Sequence, residues 1–345
     1  MHLRMRADGM GRLLTTGRPS LPRNAAVRRR RIAASATSSA VTTTTIADGL
    51  VLPKALVGMW QVSGGHGYRV ERDAGVRDMK ALYDKGLTAF DMADHYGPAE
   101  DLFGIFKDQL EASRQFRKDG DAPLLGLTKW VPMPGKMERA FVQGNIDKSR
   151  RRMHVDTLDM MQFHWWEYGD TRFIDALKHM QDMKEEGILT ALSLTNFNTE
   201  YASYVMDHSV NIATNQVSYS IVDRRPEKAM VPLCESSGMK LITYGSLLGG
   251  YLSDAWLGKR EPNALFGSGP STASQNKYKQ FIDRWGGWKK FQQLLKGMAT
   301  IAKKHGVSIS NVAVRYVMQK PQVSLDPIPH PHSPPSIPFS FLPSL

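Results

Sequence analysis

From residue 55 to about residue 320 the chain alternates short apolar runs with stretches whose apolar residues recur at helical spacing. The runs predict strands over 55–59, 87–92, 124–129, 158–164, 189–195, 212–217 and 240–244. The intervening stretches predict helices over 71–85, 98–109, 138–152, 173–186, 200–207 and 226–236, several with a proline near the start (Pro98, Pro226) or a glycine just past the end (Gly86, Gly187, Gly238). Regular strand–helix alternation is the signature of parallel βα units. It predicts an α/β fold of the (β/α)8 TIM-barrel class.

Seven strands ask for an eighth. After residue 244 a Gly- and Ser-rich segment, 245–277, is expected to be a long loop over the barrel mouth, followed by helices over 288–304 and 308–318. The eighth strand should begin near Val323, yet eight of the chain's 19 prolines fall in residues 321–345. Proline removes ladder donors and cannot continue a helix, so this tail is expected to be neither a regular central strand nor the closing helix. Barrel closure is left open on this reading.

Three predicted strands end in polar side chains that matter chemically. Asp91 closes the first, with Tyr96 five residues on; Lys129 closes the next and His164 the third, at intervals of 38 and 35 residues. That is close to the ~30 residues per βα unit of a ~250-residue barrel, and strand ends on one face are where catalytic groups converge. Singly, each has a plain structural explanation: a strand-end Asp caps a helix, a Lys is solvated, and a His between Phe163 and Trp165 is a core residue. Jointly, at barrel periodicity, they predict one pocket. Reduction of a carbonyl builds negative charge on oxygen and needs a proton donor beside an electrostatic clamp. Tyr96 is the natural donor, Lys129 would ease its ionisation, Asp91 would hold Lys129, and His164 would orient the carbonyl. Asp94 and His95 are expected to be loop residues, with His95 in reach of substrate. Trp130, Trp165 and Trp166, beside the strand tips, are candidates for a substrate wall.

The motifs Phe90-Asp91-Met92-Ala93-Asp94-His95-Tyr96-Gly97, Leu127-Thr128-Lys129-Trp130, Gln162-Phe163-His164-Trp165, Leu194-Thr195-Asn196-Phe197-Asn198 and Asn215-Gln216-Val217 resemble, in order and spacing over roughly 52–320, the aldo/keto reductase superfamily, and among it plastid members of plants and algae. The resemblance implies the same four catalytic roles and an NADP(H) cofactor. It carries Thr195, Asn196 and Gln216 onto the nicotinamide carboxamide, Tyr244 onto the ring as a stacking face, Gly245, Ser246 and Leu247 onto the pyrophosphate, and Trp60 onto a backbone contact. The family places a basic loop for the adenosine 2′-phosphate after strand eight, whereas this chain has no Lys or Arg beyond Lys320. Weak discrimination between NADPH and NADH is therefore expected. No glycine-rich dinucleotide fingerprint follows a strand, in keeping with a barrel.

Charge narrows the alternatives. The formal charge of +12 concentrates in residues 1–47, which hold nine Arg, no Lys and one acid, while the rest has 36 basic and 32 acidic residues. No nucleic-acid footprint is expected. The Arg-, Ser- and Thr-rich, acid-poor leader matches an organellar transit peptide cleaved near 33–36, for chloroplast or, alternatively, mitochondrion. The single Cys234 suits a reducing compartment, no stretch is apolar enough to span a membrane, and no metal site is expected. The reading divides the chain into a leader (1–47), a barrel domain (48–320) and an atypical tail (321–345), acting as a reductase of a small-molecule carbonyl substrate. The alternative is a truncated or non-catalytic, reductase-like binding or regulatory module. Oligomeric state is not readable from the sequence.

Overall fold

The structure, a computed structural model, describes residues 42–46, 49–64, 70–114, 122–262, 269 and 272–329, with side chains through 324. Thr43–Thr45 (β1) and Val51–Pro53 (β2) form an antiparallel hairpin, with Thr44 opposite Leu52. Eight parallel strands then close on one another: β3 (Ala55–Gly58), β4 (Ala89–Asp91), β5 (Leu125–Trp130), β6 (Leu158–His164), β7 (Leu189–Thr195), β8 (Thr214–Ser218), β9 (Lys240–Tyr244) and β10 (Val323–Pro329), with β10 pairing both β9 and β3. Helices α1 (Arg72–Tyr83), α2 (Ala99–Arg114), α3 (Arg139–Arg152), α4 (Phe173–Glu185), α5 (Thr199–Asp207), α6 (Met230–Ser237), α7 (Ala273–Trp285), α8 (Gly287–His305) and α9 (Ile309–Met318) connect them.

Strand alternation sorts the side chains. Leu56, Ala89, Leu125, Leu127, Met160, Ala191, Ala213 and Ile242 share the barrel interior, while Phe90, Met161, Phe163, Leu192 and Leu194 face the helical layer. Ile46 and Leu52 join the interior cluster at the N-terminal ends of the strands, so the hairpin plugs the bottom of the barrel. Thr43–Thr45, expected in the leader, is thus part of the folded barrel; residues 1–41 lie outside the described residues.

The eighth strand, left open by the sequence, is present. The strand forms and closes the barrel, with Asp326 opposite Ala55 and Pro329 opposite Gly58. It tolerates proline because Pro327 and Pro329 are two residues apart, so both missing donors point to the same neighbour, and Ile328 keeps its donor for the other side. Pairing with β9 is confined to Val323 and Leu325, with an irregularity between them. The rest of the tail, 330–345, where no closing helix is expected, lies outside the described residues.

The segment 245–277 is also more ordered than a loop. It contains 3-10 turns at Leu248–Gly250 and Asp254–Trp256, and α7 starts at Ala273 with Thr272 Oγ1 accepting from Gln275 N at 3.1 Å. Tyr278 and Ile282 of α7 pack with Leu247, Leu248, Tyr251, Trp288 and Phe291 in a second core. The helix expected over 226–236 is a 3-10 turn, Arg225–Glu227, followed by α6.

If the hairpin plugs the barrel, Leu52→Ala should lower stability by about 2–5 kcal/mol, the range for a fully buried leucine. Urea unfolding with an unchanged midpoint would show that Leu52 is not part of the core.

Candidate active site

Period-two alternation brings Asp91, Lys129, Gln162, His164, Thr195, Gln216 and Tyr244 to the C-terminal mouth, each an even number of residues beyond a side chain of its own strand that faces the barrel interior, namely Ala89, Leu127, Met160, Ala191, Thr214 and Ile242. At the centre, Lys129 Nζ donates to Asp91 Oδ1 and Oδ2, both at 2.7 Å, and to Met92 O at 3.0 Å. All three ammonium protons are used. Gln162 Nε2 and Gln216 Nε2 donate to Asp91 Oδ1 at 2.8 and 2.9 Å, and Gln216 Nε2 also donates to Gln162 Oε1 at 2.9 Å. Asp91 and Lys129 are buried, so the pair is tolerable because its polar atoms are this fully matched. Burial pulls the Lys129 ammonium below its usual pKa while Asp91 pushes it back up.

Tyr96 sits beside this pair, with Lys129 Nζ 5.2 Å from its ring centroid. Burial first, and then the Asp91 charge, raise the phenol well above its usual pKa. Lys129, expected to ease Tyr96 ionisation, gives its hydrogen bonds to Asp91 and Met92 O. At neutral pH Tyr96 carries its proton.

His164 is buried, and burial, assisted by the Lys129 charge, lowers its pKa to about 4. The ring is neutral at pH 7, with Nε2 placed to accept from Asn196 Nδ2 at 3.3 Å. Asn196 Oδ1 in turn accepts from Tyr244 Oη at 2.8 Å, linking β6 to β9 across the mouth. Asn196 takes φ +61°, a left-handed conformation that asparagine tolerates. Its carbonyl accepts from Tyr168 Oη at 3.2 Å, which holds the turn.

The aromatic rim differs from expectation. Trp130 and Trp165 lie one residue from Lys129 and His164, hence on the opposite strand face, and both are buried in the helical layer. Trp130 packs on Phe141 and Phe163, and Trp165 stacks on Phe163 and donates to Glu167 O and Asp170 O. They are core residues. The rim instead has Trp60, its ring 5.1 Å from Tyr96; His95, 4.9 Å from Tyr96 and bonded to Asp94; and Trp166, 64% exposed and 4.2 Å from His164. The Tyr96 loop is pinned from below. Arg152 Nη1 donates to Asp94 O at 3.1 Å and to buried Glu100 at 3.2 Å, and Thr128 Oγ1 donates to Glu100 at 2.6 Å.

The residues around Tyr244 fit a nicotinamide dinucleotide. Thr195 Oγ1 is buried in the mouth with no hydrogen-bond partner among the described residues, so it is free to bond an amide. Gly245 takes φ +78°, and a Cβ there would lie 2.5 Å from Tyr278 Oη, so only glycine permits this close turn. Ser246 and Leu247 follow, both buried. Sequence reasoning missed Gln162, Arg225 and Lys277, whereas Trp166, expected in the substrate wall with Trp130 and Trp165, does lie at the rim. Gln162 was legible as the residue two before His164 on one strand face.

Two outcomes follow from this chemistry. Asp91→Asn should destabilise the fold by about 3–5 kcal/mol, because it strands a buried ammonium, and adding Lys129→Met should recover much of the loss; additive losses in denaturant titrations would contradict the coupling. His164, with a folded pKa of about 4 against 6.5, binds fewer protons than the unfolded chain between those values, so its contribution to stability is lost as pH falls from 6.5 towards 4. Imidazole NMR shifts should stay those of a neutral ring at pH 5.5, and a midpoint near 6.5 would refute this.

A profile of the aldo/keto reductase family matches residues 55–336. The chain is 23% identical over 288 residues to the aldo-keto reductase YhdN of Bacillus subtilis, spanning 80% of this chain and 81% of that one. It is 23% identical over 277 residues to a chloroplastic pyridoxal reductase of Arabidopsis thaliana, spanning 76% and 70%. Among solved structures, an aldo/keto reductase from Klebsiella pneumoniae in complex with NADP and acetate superposes with TM-score 0.59 at 20% identity, covering 83% of this chain and 84% of that one. The match spans the whole barrel and the mouth just described, and the chain belongs to the aldo/keto reductase family of oxidoreductases.

Proposed function

We propose that this chain is an NADPH-dependent reductase that converts an aldehyde or ketone to an alcohol. The observation that carries the reading is the buried Asp91–Lys129 pair beside a protonated Tyr96 and a neutral His164 in one barrel mouth. Tyr96 donates its phenolic proton to the carbonyl oxygen as negative charge builds there. Lys129, paired with Asp91 while Gln162 and Gln216 fix that carboxylate, holds the polar floor of the mouth beside the phenol. His164, uncharged, orients the carbonyl without competing for the proton. Thr195, Asn196 and Gln216 would hold the nicotinamide amide, Tyr244 its ring, and Gly245, Ser246 and Leu247 the pyrophosphate. When bound, the cofactor supplies the hydride that reaches the carbonyl carbon. Trp60, His95 and Trp166 form an apolar, aromatic approach suited to a small carbonyl substrate. The Arg-rich, acid-poor leader supports import into the chloroplast, with the mitochondrion as the alternative.

Tyr96→Phe should reduce kcat by about a hundredfold or more, the usual range for a general acid, and leave NADPH affinity within about twofold. Retention of more than about a tenth of the parent kcat would remove Tyr96 from the donor role. A reporter fused to the full chain should accumulate in plastids with the leader removed; an uncleaved cytosolic fusion would sink the import reading.

A further inference from the structure

Lys277 is a cation with no ion pair among the described residues, and the field of Asp223 on it is opposed by Arg225. It rises from the first turns of α7 and places Nζ 4.9 Å from the ring centroid of Tyr244 and 5.4 Å from that of Tyr278. No described carboxylate pairs with it. Asp223, the acid of this corner, is buried and taken by Arg225, which donates Nε to Oδ1 and Nη2 to Oδ2, both at 2.7 Å. Lys279 on the same helix takes Glu261 and Asp283. The adjoining residues 263–271 contain no acidic side chain. One Asp against one Arg and one Lys leaves this corner with a net positive charge, held on the face of Tyr244. That tyrosine is also the end of the hydrogen-bonded chain from His164 through Asn196, so its ring borders the reacting centre.

We propose that Lys277 makes the site discriminate between the two oxidation states of its cofactor, favouring the reduced over the oxidised form. The inference rests on the reading of Tyr244 as the nicotinamide face. Oxidised and reduced dinucleotides carry the same phosphates and differ by one positive charge on the ring. An unneutralised ammonium beside that ring is indifferent to the neutral reduced form and repels the pyridinium. The oxidised product is thereby pushed out after each turnover, and reduction is favoured over the reverse reaction. Lys129 lies close by but does not do this, because Asp91 cancels its charge.

The test is equilibrium binding of NADPH and of NADP+ to the full chain, to Lys277→Met and to Lys277→Arg, each checked by thermal melting. Methionine keeps the stem over the tyrosines and removes only the charge. The ratio of the two dissociation constants should shift towards NADP+ by about threefold to tenfold in Lys277→Met, as expected for a partly solvated charge, and stay near the parent value in Lys277→Arg. Equal weakening of both ligands would overturn the inference, because it would show Lys277 gripping a phosphate common to both. An unchanged ratio would overturn it as well. A parent chain that binds neither nucleotide would instead refute the reductase reading on which the inference stands.

Discussion

The buried charge pair between Lys129 and Asp91 is the constraint around which the barrel mouth is organised. An ammonium and a carboxylate removed from water cost several kcal/mol each unless nearly every proton and lone pair finds a partner. Here the partners come from four successive or near-successive strands: Asp91 from β4, Lys129 from β5, Gln162 from β6 and Gln216 from β8. Such a set exists only if the strands hold their register, and the parallel ladder aligns Lys129 directly with Gln162 and His164 with Thr195. The bottom of the same barrel is filled by leucine, alanine and methionine and sealed by the hairpin. Apolar packing below therefore fixes the geometry that polar matching uses above.

The same matching explains why the two tyrosines of the mouth behave differently from free phenols. Tyr96 is surrounded by buried groups and a carboxylate whose lysine is fully engaged, so its proton is held. Tyr244 gives its proton to Asn196 in a hydrogen bond and offers its face to solvent-side groups. A donor that stays protonated until negative charge develops beside it suits reduction better than oxidation.

Much of this was legible in the sequence because a barrel strand has a strict period of two. β6, β7 and β9 fall on the expected residues, and Asp91, Lys129, His164, Thr195, Gln216 and Tyr244 converge at one mouth. The same period, applied further, identifies Gln162 and turns Trp130 and Trp165 outward; reading those tryptophans by proximity to the tips, rather than by parity, misplaced them. α7 was masked by the polar Ala-Ser-Gln-Asn-Lys start, although Tyr278, Phe281, Ile282 and Trp285 recur at helical spacing. The plug was hidden in a threonine run whose composition looks like leader. Closure by β10 was hidden by prolines, because proline content argues against a strand on average, whereas the ladder asks only whether the lost donors were needed.

What no single-strand pattern carries is the balance of charge across the mouth, because it depends on elements far apart in the chain. Lys129 is neutralised by Asp91 from the preceding strand, and Arg225 by Asp223 two residues before it, both local pairings. Lys277 reaches Tyr244 from a helix that begins 29 residues after that strand ends, and the one acid acting on it, Asp223, is already paired with Arg225. A charge left unmatched in an otherwise carefully matched mouth costs little where it borders solvent and acts on whatever ring is brought beside it. The fold thus separates two electrostatic tasks: a compensated cation at the centre, rigid and buried, and an uncompensated one at the rim, mounted on an element outside the repeating βα units.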